Sequence, residues 1–276
     1  MQKMTLSDIR RTLAAAGIED AAYEARLLAA HYTGFSPARL MAMGAENLDS
    51  SALEEAVRRR AAREPLQYIL GVWPFMGLDF AVSPDCLIPR ADTETLVEAA
   101  LAALPQGARV ADLCTGSGCI GIALAHYRPD ITVTAVEIAA KTAVIARENA
   151  RRLGVADRFT VIVGDVTQRV FDETVRFDCI VANPPYIALD EMETLSPELA
   201  FEPRGALTDE GDGLSVICGV LHTAAQSLTE DGLLYMEFGA SQGAAVLALA
   251  REYGFDGEIL RDAGGRDRVL AAQRRI

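Results

Sequence analysis

The sequence lacks any apolar run approaching the roughly 20 residues needed to cross a bilayer. Its start, Met1 to Arg11, carries Asp8 and no continuous apolar stretch, so no signal peptide is expected and a soluble cytoplasmic protein follows. The five cysteines, Cys86, Cys114, Cys119, Cys179 and Cys218, form no C-x-x-C pair and are odd in number. That argues against both a zinc site and a disulfide framework, and reduced, structural thiols are expected. His31, His126 and His222 are scattered and suggest no ligand cluster, so no metal is expected. Basic charge is also scarce, with 26 Lys and Arg against 39 Asp and Glu and a net charge of −13. Residues 1–66 hold nine of each sign, so the whole excess lies in residues 67–276. Nucleic-acid binding draws most of its affinity from Lys and Arg on phosphates. An acidic main domain weighs against a nucleic-acid partner, and its charge serves solubility.

What is present divides the chain. Residues 1–66 read as short helices forming a small bundle. Leu6, Ile9, Leu13 and Ala16 recur at helical spacing behind a cap at Thr5. Ser36-Pro37 places an N-cap before a proline at the first helical position, and Ser51 to Glu54 fits a capping box ahead of Leu53, Val57 and Ala61. Residues 67–88, with Trp73, Phe75, Phe80, Gly71, Pro74 and Gly77, read as a hairpin linker. Residues 89–276 form the third region. Asp92 is expected to cap a helix that buries Leu96, Val97, Ala100, Leu101 and Leu104. Strands are predicted at 108–113, 131–136, 159–164, 178–182, 232–237, 257–261 and 267–272, with helices between the earlier ones. A mostly parallel α/β sheet with right-handed crossovers follows. Asp262 to Gly265 is too short for a crossover helix, so the last two strands should be antiparallel.

The first of these strands runs into Asp112-Leu-Cys-Thr-Gly-Ser-Gly-Cys-Ile-Gly121. Gly116 and Gly118 permit a tight turn and close approach to a ligand, although G-x-G-x-x-G alone is a weak nucleotide signal. The second strand ends in Glu137, placed to accept from ribose hydroxyls. The third ends in Gly164-Asp165-Val166, where Asp165 can accept from an adenine amino group and Val166 can pack on the base. A dinucleotide would bring a pyrophosphate to the helix N-terminus. Asp112, four residues before the first glycine, suits a cationic, phosphate-free cofactor better, and D-L-x-x-G-x-G also opens S-adenosylmethionine methyltransferases.

The fourth strand ends in Asn183-Pro-Pro-Tyr186. A specified tetrapeptide occurs by chance in roughly one such chain in a thousand, taking each residue type at about one in 25. Its place, the carboxyl end of a strand in an open sheet, is where ligands bind. A planar NH₂ conjugated to a π-system is a weak nucleophile. The Asn183 side-chain carbonyl and the Pro184 backbone carbonyl can hold its two N–H bonds, while proline stiffens the loop and Tyr186 can stack on the planar group. The protein then contributes positioning and electrostatic preorganisation. No general base is evident in the motif. Adenine N6, cytosine N4 and a glutamine amide all satisfy this logic.

Further blocks narrow the choice: Arg63-Glu-Pro-Leu-Gln-Tyr-Ile-Leu-Gly71, Leu87-Ile-Pro-Arg-Ala-Asp-Thr-Glu94, Phe201-Glu-Pro-Arg-Gly-Ala-Leu207, Asp212-Gly-Leu214 and Gly265-Arg-Asp-Arg-Val269. With the glycine and N-P-P-Y motifs, they make the chain resemble the bacterial release factor glutamine methyltransferase family over nearly its whole length. The resemblance implies a Rossmann-like, seven-stranded methyltransferase sheet, S-adenosylmethionine as cofactor, and a helical N-terminal domain that recognises substrate. It implies methylation at N5 of the glutamine in the Gly-Gly-Gln motif of class-I peptide chain release factors, by an enzyme expected to be a monomer. The family's cofactor residues map onto Cys114, Thr115, Gly116, Ser117, Gly118, Glu137, Asp165 and Val166, with Asn183 expected to reach the cofactor too. Its substrate residues map onto Asn183, Pro184, Pro185 and Tyr186, of which Asn183, Pro184 and Tyr186 are expected to be catalytic. Two departures are Ala91-Asp92, where members often have Pro-Glu, and Glu137, where they often have Asp.

The rivals are a ribosomal-protein glutamine methyltransferase, a DNA or RNA amino-methyltransferase that flips a base, and a non-catalytic cofactor-binding adaptor. The 27 residues from Ile187 to Gly213, rich in Glu, Asp, Pro and Gly, exceed the length of an ordinary loop. They are expected to help seat a protein substrate.

Overall fold

The computed structural model describes residues 4–43, 46–48 and 50–274, which divide into two compact units. The first comprises the chain up to Val72 together with Ser196–Phe201. It holds α1 (Leu6–Ala15), α2 (Ala21–Thr33), α3 (Pro37–Ala42), α4 (Ser51–Ala61) and α5 (Leu66–Leu70). Thr5 caps α1 in a reciprocal box with Asp8, and Ser36 caps α3 ahead of Pro37. The cap of α4 is Ser50, whose side chain accepts from Leu53 N, and not Ser51, which is already helical. Gln67 to Leu70, read above as the start of the hairpin, form α5, which ends because Gly71 takes φ +71°.

Ile9, Leu13, Ala25, Leu28, Leu53 and Val57 form the core of this unit. Arg60 is also buried, and its charge is met from two directions. Its Nε is 2.6 Å from Glu24 Oε2, and its Nη1 is 3.0 Å from Glu198 Oε1. A buried guanidinium demands such pairing. Glu198 brings a turn of the long segment after Tyr186 into the helical unit.

The second unit comprises Trp73–Leu195 and Glu202–Ile276. A two-stranded hairpin, β1 (Val72–Phe75) and β2 (Leu78–Ala81), precedes a short 3-10 turn at Ala91–Thr93 and α6 (Glu94–Ala103). Asp92 lies inside that turn and does not cap α6; it pairs with arginines, as described below. Then follow β3 (Arg109–Leu113), α7 (Cys119–Tyr127), β4 (Thr132–Glu137), α8 (Ala140–Arg152), β5 (Phe159–Val163) and β6 (Phe177–Ala182). The chain ends in α9 (Ser215–Ser227), β7 (Leu228–Glu237), α10 (Gly243–Glu252), β8 (Phe255–Arg261) and β9 (Asp267–Arg274).

These strands form one seven-stranded sheet in the order β5-β4-β3-β6-β7-β9-β8. The pairs from β5 to β7 are parallel, while β9 is antiparallel to both β7 and β8. The expected fold class is therefore observed. Alternation along the strands feeds two apolar layers. Val110, Val133 and Val181 pack with Leu96, Val97, Ile120 and Leu124 on one face. Ala111, Leu113, Ile180 and Met236 pack with Ile217, Val220, Leu221 and Val246 on the other.

Strand order reverses between β3 and β6, which makes their carboxyl ends the switch point. Register then decides which residues meet there. Leu113 stands opposite Ala182, and Ala182 opposite Met236. Cys114, Asn183 and Glu237 consequently sit at the ends of three adjacent strands.

Candidate active site

The glycine loop is built on left-handed backbone. Cys114, Gly116 and Gly118 have φ of +59°, +56° and +85°, which only glycine adopts at little cost. Thr115 N bonds Val136 O at 3.0 Å and Gly118 N bonds Thr115 O at 2.8 Å. Asp112 organises the turn from behind. Its Oδ2 accepts from Thr115 Oγ1 at 2.5 Å and from Gly121 N at 3.0 Å. Asp112 is fully buried and does not line the cavity, so it shapes the glycine loop from behind. Burial raises its carboxyl to about 7, against the pull of the Thr115 and Gly121 bonds.

In front of the loop lies a cavity of about 310 Å³. Glu137 lines it from the end of β4. Its Oε2 accepts from Gly116 N and its Oε1 from Ala139 N, each at 2.9 Å. Burial raises the Glu137 pKa, and those two N–H bonds oppose the rise. Beyond the end of β5, Asp165 Oδ1 accepts from Thr167 N and Thr167 Oγ1 at 2.9 and 2.7 Å, while Val166 is buried.

Cys114, Thr115, Gly116, Ser117, Glu137, Asp165, Val166, Asn183 and Pro185 all line the cavity. Gly118 stands behind the wall as the N-cap of α7. Pro184 is buried, and Tyr186 is half-buried, so neither side chain reaches the cavity wall. Tyr186 instead donates its hydroxyl to Glu237 Oε1 at 3.1 Å, and its carbonyl accepts from Gln242 Nε2 at 2.9 Å. Burial beside the Glu237 carboxylate holds the Tyr186 phenol well above its ordinary value.

A family model described as the methyltransferase small domain matches residues 91–228, and one described as the PrmC N-terminal domain matches residues 5–71. The release factor glutamine methyltransferase of Moorella thermoacetica is 41% identical over 280 residues, covering 99% of this chain and 98% of that protein. Its counterpart from Neisseria gonorrhoeae is 42% identical over 250 residues, covering 89% and 91% respectively. This chain belongs to the release factor glutamine methyltransferase family. It is a methyltransferase, as the resemblance implied. Two solved structures share the fold at low identity. A methyltransferase from Pyrococcus furiosus has a TM-score of 0.55 at 15% identity, covering 82% of this chain and 100% of that one. The ribosomal protein L11 methylase from Lactobacillus delbrueckii subsp. bulgaricus has a TM-score of 0.51 at 21% identity, covering 71% and 84%.

In this family member, blocks far apart in sequence converge on the site. Glu202 is buried and accepts from Ile88 N at 3.1 Å and from the Arg90 guanidinium. That pairing ties the Phe201–Leu207 block to the Leu87–Glu94 block at the cavity wall, where Arg90 and Pro203 both sit. Asn149, buried in α8, donates to Ser117 O at 2.9 Å and Ala81 O at 3.0 Å, bracing the glycine loop against the hairpin. Sequence reading assigned no role to Thr93, Asn149, Glu202 or Glu237. Thr93 and Glu202 lay inside blocks that carry the resemblance, and Glu237 closes a predicted strand as Glu137 does, whereas Asn149 carried no signal.

Proposed function

We propose that this chain transfers a methyl group from S-adenosylmethionine to the side-chain amide nitrogen of the glutamine in the Gly-Gly-Gln motif of peptide chain release factors. The observation that carries the reading is the parallel register that sets Asn183 beside the glycine loop on one cavity wall. The donor set fits the cofactor. Glu137 offers a carboxylate suited to ribose hydroxyls, Asp165 an acceptor for an adenine amino group, and Val166 an apolar surface for the ring. Cys114 to Gly118 allow close approach of the backbone, and Asn183, which lines the same cavity, would meet the cofactor as well. When bound, S-adenosylmethionine supplies an electrophilic methyl on a sulfonium.

The protein's part is orientation. The Asn183 side-chain carbonyl and the Pro184 backbone carbonyl accept from the two N–H bonds of the substrate amide, fixing its plane. A glutamate in that place would present oxygen to oxygen, a mismatch costing about 1–3 kcal/mol and more when charged. Glycines beside the glutamine let its loop enter without side-chain clashes. The helical unit and the 187–213 segment hold the remainder of the factor, so short Gly-Gly-Gln peptides are poorer substrates than the whole protein. Such an enzyme works in the cytoplasm, and among the described residues no helix is long and apolar enough to cross a membrane.

The test is incubation with labelled S-adenosylmethionine and, separately, a release factor, ribosomal protein and DNA. Mass spectrometry should find one added methyl on the Gly-Gly-Gln glutamine. Label confined to DNA or to a ribosomal protein defeats the substrate assignment.

A further inference from the structure

The Asn183 side chain makes a hydrogen bond whose direction matters. Its Nδ2 lies 3.3 Å from Thr93 Oγ1. Thr93 Oγ1 in turn lies 2.6 Å from Glu237 Oε2, and both residues are buried. A hydroxyl has a single proton, and an ionised carboxylate can only accept. The Thr93 proton therefore points to Glu237, and the Thr93 oxygen is left able only to accept. Of the two ends of the Asn183 amide, nearly equal in shape, only the NH₂ can satisfy it. The Oδ1 carbonyl is turned the other way.

We infer that Glu237, acting through Thr93, is the positioning residue that sets the rotamer of Asn183, so that this side chain offers its carbonyl to the substrate amide. The inference rests on the orienting role given to Asn183 above. Glu237 does not line the cavity, so it acts through its neighbours. Its second oxygen receives the Tyr186 hydroxyl, which means one carboxylate orders both polar side chains of the N-P-P-Y motif. Burial raises the Glu237 pKa and the Asp92 charge adds to the rise, while the Thr93 and Tyr186 bonds and the nearby Arg268 charge oppose it. Selection for glutamine over glutamate then originates two hydrogen bonds further back than the residue that touches the substrate. Replacing Glu237 by glutamine puts a donor where only an acceptor stood. Thr93 can then reverse its hydroxyl, Asn183 can flip, and an NH₂ faces the substrate.

The experiment compares Glu237→Gln, Thr93→Val, Thr93→Ser and Asn183→Ala. Turnover on a release factor is measured with calorimetric binding of S-adenosylmethionine and of factors carrying Gly-Gly-Gln or Gly-Gly-Glu. Glu237→Gln and Thr93→Val should lower kcat by about 10–100-fold, the scale of misplaced reacting groups, with cofactor Kd changed by less than about twofold. Their binding preference for Gln over Glu should shrink by about fivefold or more, corresponding to a lost polar match. Thr93→Ser, which keeps the hydroxyl, should recover most of both losses. Should Glu237→Gln fail to fold, Thr93→Val with its rescue by serine carries the same test. Normal kcat and an unchanged Gln-to-Glu preference in both Glu237→Gln and Thr93→Val overturn the inference. Normal turnover in Asn183→Ala defeats the orienting role of Asn183 itself, so the two failures are distinguishable.

Discussion

Asp92 and Arg266 are 174 residues apart in the chain and 3.1 Å apart in the fold. Arg268 reaches the same carboxylate at 3.4 Å. The turn between β8 and β9 is thereby fastened to the 3-10 turn carrying Thr93, and so to the support of Asn183. The two arginines are not equivalent. The Arg266 side chain is 58% exposed, whereas that of Arg268 is 8% exposed and also bonds Asp262 Oδ2 and Phe238 O. Arg266→Ala should cost about 0–1 kcal/mol of stability, the range of exposed pairs. Arg268→Ala should cost clearly more, because it strips Asp262 of a buried partner and leaves Arg266 alone to hold Asp92. Denaturant unfolding of the two variants gives the comparison, and equal losses would contradict it.

Gly213 supports the reaction loop in a way no other residue can. It has φ +77°, and a Cβ there would stand 2.1 Å from the backbone oxygen of Tyr186. Gly213→Ala must therefore push Tyr186 away, in addition to the roughly 1–2 kcal/mol cost of a left-handed non-glycine residue. Turnover should fall about tenfold or more, a consequence of displaced positioning groups. Cofactor affinity should change little. Steady-state kinetics combined with calorimetry checks the split, and a loss confined to cofactor binding would count against it.

Glu137 has two tasks, holding Gly116 N and Ala139 N and facing the cavity. Glu137→Ala should weaken S-adenosylmethionine binding by about 1.5–3 kcal/mol, the scale of charged hydrogen bonds. Calorimetry that finds unchanged affinity removes Glu137 from the cofactor site.

Asp112 should leave a signature in the pH dependence of stability. Its carboxyl is raised by burial from 3.8 to about 7. Between these values the folded protein keeps a proton that the unfolded chain has released. The stability linked to this group is full below about pH 4 and is lost as pH rises through about 7. Asp112→Asn cannot titrate. Relative to that variant, the wild type should lose on the order of a few kcal/mol across the window. Unfolding measured at several pH values checks it, and parallel curves would show that Asp112 titrates alike in both states.

Much of the architecture was legible because it rests on local constraints. Strand alternation, helical spacing and the steric demands at Gly116 and Gly118 act over a few residues, so periodicity located all seven strands of the sheet. The N-P-P-Y motif marked the end of β6 for the same reason. The cap of α4 moved by one residue because Ser50 and Ser51 can both cap, and the choice lies in backbone angles.

What pairs across the fold was decided only by tertiary structure. That the Asp112 carboxylate bonds Thr115 and Gly121 behind the glycine loop follows from how β3 and α7 pack. Thr93, Glu237 and Asn183 become partners only once strand register has put Ala182 opposite Met236. A slip of one residue would send each side chain to the opposite face. The sequence by itself determined which elements form and which loop carries the chemistry, through sterics and hydrophobic spacing. Which buried donor meets which acceptor depends on distances between remote segments, and packing alone sets those.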